Sequence, residues 1–396
     1  MSLFISRLDA TRHTQAIVGG FAHLSAGSAA TDAPPPLLPL PMTCHDDAIG
    51  SVLEIFESTK SADNFSNGPF TGFKGEGWVY GQALLSEVDF ANTEFAAPLT
   101  ELASFAYEHM LAPGGPLGGM NLARCWNYLP DINRIERNLE RYRWFNVGRH
   151  SAFARHGRLP RALAAHAVPA ACALGVGGDK VGVAFLGVDG ELVAIENAHQ
   201  ISAYDYPPDY GPKAPMFSRA VRTSVGGASC LFVSGTASIT GHQTMHAGDV
   251  AAQTALALSH IEHLLAQLPE PFPASSAYIK VYVRHPKDCD TVMGALHERW
   301  PQAVTHGKVS LLIADICRDD LDVEIELCCG LLEEVGEGKL HGVGSRSAFS
   351  QSPRTLLAHR FTIDGEPESE AQRLNPLKSE RLPVLTPFPR WILRCR

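Results

Sequence analysis

The chain is expected to fold as an α+β protein of two similarly designed halves, each a mixed sheet with helices packed on one face. Three observations lead there. Segments of period-two apolar alternation recur along the chain, and helix-period segments interrupt them. The order strands, helix, strand, helix, strands is met twice. The two series are separated by Tyr204-Asp205-Tyr206-Pro207-Pro208-Asp209-Tyr210-Gly211-Pro212, a loop dense in turn formers. No residue-level repeat accompanies this duplication of architecture.

In chain order, the first half is expected to place strands near 50–58 and 77–88, a helix near 97–111, a strand near 121–128 and a charged helix near 136–156. Strands near 170–176, 181–187 and 191–197 follow. The second half begins with a strand at 229–234 and a helix near 247–267, where Val250, Thr254, Ala257, Ile261, Leu264 and Leu265 recur at helical spacing after Gly248-Asp249. A strand at 277–284 comes next, with Ile279, Val281 and Val283 on one face. A helix near 287–300 and strands near 307–316 and 321–329 close the series. The halves then occupy residues 49–200 and 201–335.

Two end segments read differently. Residues 1–48 include Ala33-Pro34-Pro35-Pro36-Leu37-Leu38-Pro39-Leu40-Pro41, whose prolines fix φ and remove donors, so an extended segment along the surface is expected. Residues 336–396 are locally basic and lack periodicity, and a loosely ordered tail is expected there.

Composition narrows function. The 396 residues are 45% hydrophobic and 19% charged, which excludes wholesale disorder. With 33 Lys+Arg against 42 Asp+Glu the net charge is -9, so neither nucleic acid nor an anionic membrane is an expected partner. Apolar runs fall short of the roughly 18 residues that span a bilayer. Arg7, Asp9, Arg12 and His13 stand where a secretion signal would be apolar, so a cytoplasmic protein is expected. The nine cysteines form neither a disulfide framework nor a CxxC pattern.

Metal and nucleotide sites find little support. His242 and His246 sit four apart and His260 and His263 three apart, without a converging carboxylate or an HExxH pattern. Vicinal Cys328 and Cys329 on a strand point to opposite faces. The glycine-rich stretches 113–119 and 175–180 match neither dinucleotide nor P-loop form, and there is no GxSxG elbow. No metal and no cofactor is expected.

Carboxylates and arginines carry more. In Val323-Glu324-Ile325-Glu326-Leu327 the apolar residues face one way, so Glu324 and Glu326 share the opposite face about 6–7 Å apart. Such a pair is either solvent-facing or a site, and periodicity does not separate the two acids. Arg141, Arg143, Arg149 and Arg219 offer forked donors that suit a small dicarboxylate, although on composition alone helix-surface salt bridges are the plainer account.

Five strings, met in order between about residues 50 and 330, resemble the chorismatases. They are Trp126-Asn127-Tyr128-Leu129-Pro130-Asp131-Ile132-Asn133, then Tyr142-Arg143 with Phe145-Asn146-Val147-Gly148-Arg149, then Ala203-Tyr204-Asp205-Tyr206-Pro207-Pro208, then Phe217-Ser218-Arg219-Ala220, and Val233-Ser234-Gly235-Thr236-Ala237-Ser238. The resemblance implies two YjgF-like/chorismate-mutase-like α+β halves and an enzyme that takes pyruvate from chorismate without a cofactor. It places the proton-donating acid at Glu324 and a cysteine assisting ring chemistry at Cys317. Arg149, Arg219, Arg143, Tyr142, Tyr210 and Ala237 would meet the substrate. Cys317 matches members that release 3-hydroxybenzoate, whereas Ala237 looks more like members that release a dihydroxycyclohexadienoate. The expected product is 3-hydroxybenzoate, with the dihydrodiol acid or 4-hydroxybenzoate as alternatives. A monomer or homotrimer is expected. The rival classes are a YjgF-like imine or enamine deaminase, which would leave Trp126 to Arg149 unexplained, and a non-catalytic ligand-binding scaffold.

Overall fold

The computed structural model of the chain describes residues 16–24, 37–42, 49–58, 60–90, 97–160, 168–225, 227–272, 277–305, 309–330, 332–339 and 355–362. The first half forms a six-stranded sheet in the order Ala170–Val176, Asn121–Pro130, Lys180–Val188, Trp78–Ser86, Phe70–Gly75, Asp63–Asn67. The first two strands are parallel and every other neighbour is antiparallel. Helices Pro98–Leu111 and Arg141–Arg155 cover one face. Leu99, Leu102, Ala103, Ala106, Tyr107 and Met110 make the apolar stripe of the first helix, all fully buried. The two helices cross at Gly148, where a β-carbon would stand 2.2 Å from the Thr100 carbonyl oxygen. Only glycine permits that approach.

The second half repeats the plan. Its sheet runs Val309–Ile313, Ala277–Val283, Val323–Cys329, Ala228–Thr236, Ala220–Val225, Val193–Ile195, again with one parallel pair at the same edge. Helices Val250–Leu265 and Cys289–Arg299 cover one face. Asp249 caps the first of these by accepting from the Ala252 amide at 3.0 Å. Strand for strand, the topology is that of the first half, so the duplication read from element order is present in the folded chain. One boundary differs. Val193–Ile195 pairs with Ala220–Val225 and so opens the second sheet, although it precedes the Pro/Tyr loop taken as the divider. That loop is an excursion between two antiparallel neighbours.

A third sheet corrects both end segments. Its order is Leu38–Pro41, Ala16–Leu24, Ile49–Ser58, Thr355–Thr362, Leu332–Lys339. The segment expected to lie extended on the surface instead sends Leu38 and Leu40 into the core, with Pro39 and Pro41 turned outward. Proline is tolerated there because the strand is an edge, paired only through Phe21–Leu24. The segment expected to be a loose tail supplies two strands, one parallel to Ile49–Ser58. Its partner strand lies some 300 residues away, a pairing that local periodicity cannot reveal. The rest of that tail, residues 1–15 and residues 25–36 with the triple proline lie outside the described residues.

The central core forms where the helix-free faces of the two six-stranded sheets meet the third sheet. Trp78, Tyr80, Trp126 and Tyr128 from the first half pack with Phe232, Tyr278 and Tyr282 from the second and with Phe21 and Phe56 from the third sheet. Among the described residues no helix is long and apolar enough to cross a membrane.

Candidate active site

Glu324 lies on the strand Val323–Cys329, in the middle of the second sheet, directly opposite Tyr282. The neighbouring strand Ala228–Thr236 shifts register between Val233 and Thr236. This irregularity places Gly235 against Glu324, and a β-carbon on Gly235 would stand 1.8 Å from Glu324 Oε1. Beside it Ser234 ties the halves together: its hydroxyl donates to the Ser218 carbonyl at 2.6 Å and accepts from the Ala171 amide at 2.8 Å.

A cleft of about 410 Å³ opens over Glu324 between the two halves. The first half contributes Glu140, Tyr142 and Arg143, from the start of helix Arg141–Arg155 and the residue before it. The loop before strand Ala220–Val225 gives Tyr206, Tyr210, Phe217 and Arg219, and the turn after Thr236 gives Ala237. Cys317 and Arg318 come from the loop after strand Val309–Ile313. That loop is held by Arg284, which donates to the carbonyls of Leu321 (2.9 Å) and Arg318 (2.7 Å), and by Gln253, which donates to the Asp320 carbonyl at 3.0 Å and accepts from the Asp322 amide at 2.8 Å.

The two acids of the terminal strand live in different fields. Glu326 meets the Lys280 ammonium at 2.7 Å and the Arg124 guanidinium, and these cations hold its carboxyl below the usual range against the opposing effect of burial. Glu324 has no such ion pair. Burial and the adjacent Glu326 charge push its carboxyl up to about 8, against the smaller opposing effects of Arg124 and a hydrogen bond with Cys317. At neutral pH Glu324 is therefore mainly the protonated acid and Glu326 the anion. Burial also pushes the Cys317 thiol well up, so it sits beside Glu324 as a neutral thiol.

Of the residues singled out from sequence, Glu324, Cys317, Tyr142, Arg143, Arg219, Tyr210 and Ala237 come together on the cleft wall. Arg149 does not line it. Its buried guanidinium stacks over Phe145 at 5.3 Å and donates to Asn146 Oδ1 at 3.2 Å, close enough to Tyr142 that its charge acts on the phenol. Arg141 is fully committed to Glu87, Glu136 and the Pro130 carbonyl. Arg219 is buried, yet its Nε has no protein partner; its Nη2 donates to the Ile201 carbonyl and to the Tyr206 hydroxyl, both at 2.8 Å. Sequence reasoning missed Arg318, whose guanidinium stacks on Tyr210 at 4.2 Å, and Glu140, whose carboxyl is raised mainly by burial. Arg318 directly follows Cys317, but nothing in a charged run marks which member turns inward. Among the described residues no cluster suited to hold a metal ion is found.

Arg219→Ala is expected to weaken saturation by an anionic ligand about 10- to 100-fold, because a carboxylate entering the cleft would lose a charged donor in a partly dry site. Ligand titration of the folded variant checks this, and an unchanged binding constant would remove Arg219 from anion recognition.

Comparisons with known proteins bear on the family and the fold. Residues 54–187 match the family model for the N-terminal domain of FkbO/Hyg5-like chorismatases. A chorismatase of Streptomyces rapamycinicus is 40% identical over 224 residues, 54% of this chain and 65% of that protein. A 3-hydroxybenzoate synthase of Streptomyces hygroscopicus is 37% identical over 242 residues, 57% of this chain and 68% of the relative. The match thus spans about two thirds of each relative's length. A solved chorismatase crystal structure superposes with a TM-score of 0.65 at 27% identity, covering 79% of this chain and 93% of that one. On the match of its N-terminal half to the family model and its identity to these relatives, the chain belongs to the chorismatase family.

Proposed function

We propose that this chain removes the enolpyruvyl group of chorismate as pyruvate, with Glu324 as the proton donor. One observation carries the reading: a buried carboxyl, protonated at neutral pH, opens into a cleft that also presents arginine. Chorismate is an enol ether with two carboxylates, and protonation of its terminal methylene carbon gives an oxocarbenium ion from which pyruvate can depart. An acid raised to about 8 holds that proton at neutral pH, yet remains able to release it to the electron-rich methylene carbon of an enol ether. Arg219, with Arg143 and Arg318 on the same wall, pairs with the substrate carboxylates, and Arg149 adds its charge from behind Tyr142.

For the ring product we propose 3-hydroxybenzoate. The relative from Streptomyces hygroscopicus with that activity in its name supports it, as does the neutral thiol of Cys317 hydrogen-bonded to Glu324. Pyruvic acid and 3-hydroxybenzoic acid together have the composition of chorismic acid, so this route consumes no net water. The dihydrodiol route takes up one. Incubation with chorismate is expected to release pyruvate and an aromatic acid in equal amounts. Absence of pyruvate from a folded sample would overturn the activity. With Cys317→Ala the aromatic share is expected to fall in favour of the dihydrodiol acid; chromatography showing an unchanged aromatic product would remove Cys317 from the ring chemistry.

A further inference from the structure

Behind Glu324, five ionisable side chains from all three sheets meet in the core. Arg124 comes from Asn121–Pro130, Lys280 and Glu326 from neighbouring strands of the second sheet, and Glu54 and His23 from Ile49–Ser58 and Ala16–Leu24. None is more than 5% exposed. Lys280 Nζ lies 2.7 Å from Glu326 and 3.0 Å from Glu54, while Arg124 pairs with the second oxygen of Glu326 and donates to the Val233 carbonyl at 3.2 Å. His23 Nε2 stands 2.5 Å from Glu54, and burial holds that imidazole in its neutral form. Two cations and two anions therefore balance. Of the two anions, Glu326 shares the strand and the face of Glu324 and acts on it directly, whereas Glu54 lies beyond Lys280.

The cations are directed to one acid. On the terminal strand Glu324 and Glu326 share a face, but the Arg124 guanidinium donates its hydrogen bonds to Glu326 and the Val233 carbonyl while lying over the Trp126 ring, and Lys280 lies between Glu326 and Glu54. The Cys317 thiol from the loop before its strand, the Tyr142 phenol from helix Arg141–Arg155 and the Cys172 thiol from strand Ala170–Val176 also interact with Glu324, and Arg143, Arg219, Arg318 and Glu140 face it across the open cleft. The two thiols and the phenol are held neutral by burial. Glu326 is thus the anion set beside the proton-bearing acid.

We infer that Glu326, locked in its charged form by Arg124 and Lys280, is a positioning residue for the proton of Glu324: a fixed negative charge two residues away that keeps the neighbouring carboxyl protonated. This deepens the assignment of Glu324 as proton donor and rests on it for its functional meaning, but the charge arrangement can be tested without substrate. The full-length protein labelled with carboxyl-¹³C glutamate is titrated by NMR. Wild type is expected to show a carboxyl titrating at about 8, identified by its loss in Glu324→Gln. In Glu326→Gln that titration is expected to fall by about one pH unit or more. Glu54→Gln loosens the same network without removing the anion beside Glu324, so it is expected to lower the melting temperature while leaving the titration within about half a unit.

An unchanged titration in Glu326→Gln would overturn the inference. So would an equal fall in Glu54→Gln, because general loosening of the core would then explain both. Should Glu326→Gln fail to fold, Glu326→Met, which keeps the volume and removes the charge, takes its place: an unchanged Glu324 titration overturns it. The pH profile of pyruvate release then separates the two ideas. A Glu324 titration that falls in Glu326→Gln while the turnover profile stays in place upholds the positioning role and removes Glu324 as the proton donor.

Discussion

Glu324→Gln is expected to lower turnover by about 10²- to 10⁴-fold while leaving substrate binding and the fold nearly intact, because it removes a transferable proton and almost no volume. The amide still fits against Gly235 and beside Cys317. The same substitution removes a buried titration, so it also changes the pH dependence. In the wild type the acid must be protonated to act, and its carboxyl is raised by burial and by Glu326 to about 8. The rate should therefore be flat below that value and fall tenfold per pH unit above it. Stability follows the same sign: a carboxyl raised on folding favours the native state less as pH rises, from its ordinary value through about 8. In Glu324→Gln both this loss of stability up to about pH 8 and the residual activity's dependence on this group should disappear. Steady-state kinetics and thermal melts across pH check this, and near wild-type turnover in the variant, with Glu326→Gln inactive, would reverse the assignment.

Gly235→Ala is the second large expected effect, and it arises from space alone. The added methyl would stand 1.8 Å from Glu324 Oε1 and 2.6 Å from its carboxyl carbon, far inside any tolerable contact. The colliding group is the end of a side chain and not backbone, and Gly235 is not among the positive-φ glycines, so the fold is expected to persist. What must move is the carboxyl. A displacement near 1 Å from the productive position is expected to cost about 10²-fold in rate. The melting temperature should change little beside that loss. Kinetics near wild type would show that the carboxyl has room to work from another rotamer, and would weaken the assignment of this cleft as the reaction site.

Much of the fold was legible locally, because period and capping are local. Helix Val250–Leu265 and strands Ala277–Val283 and Val323–Cys329 lie close to where spacing placed them, and two similar halves followed from element order alone. The hairpin Asp63–Gly75 escaped because its exposed, polar first strand carries little alternation. The third sheet escaped for a different reason: it joins residues 16–58 to residues 332–362, and no local signal records a partner hundreds of residues away.

The site divides in the same way. That Glu324 and Glu326 share a face is a consequence of the two-residue period of a strand, and the sequence by itself determined it. Which of them keeps a proton was decided only in three dimensions. Arg124 reaches Glu326 across 202 residues of chain and Lys280 across a strand pairing, and their field makes one acid an anion while the other stays neutral. The arginines sorted likewise. Arg141, Arg143 and Arg149 sit within nine residues on one helix, yet the first is consumed by Glu87 and Glu136, the second lines the cleft and the third packs behind it over Phe145. Sequence supplies the charges and their order along each element; tertiary packing sets the distances and the dielectric between them, and Coulomb energy depends on both.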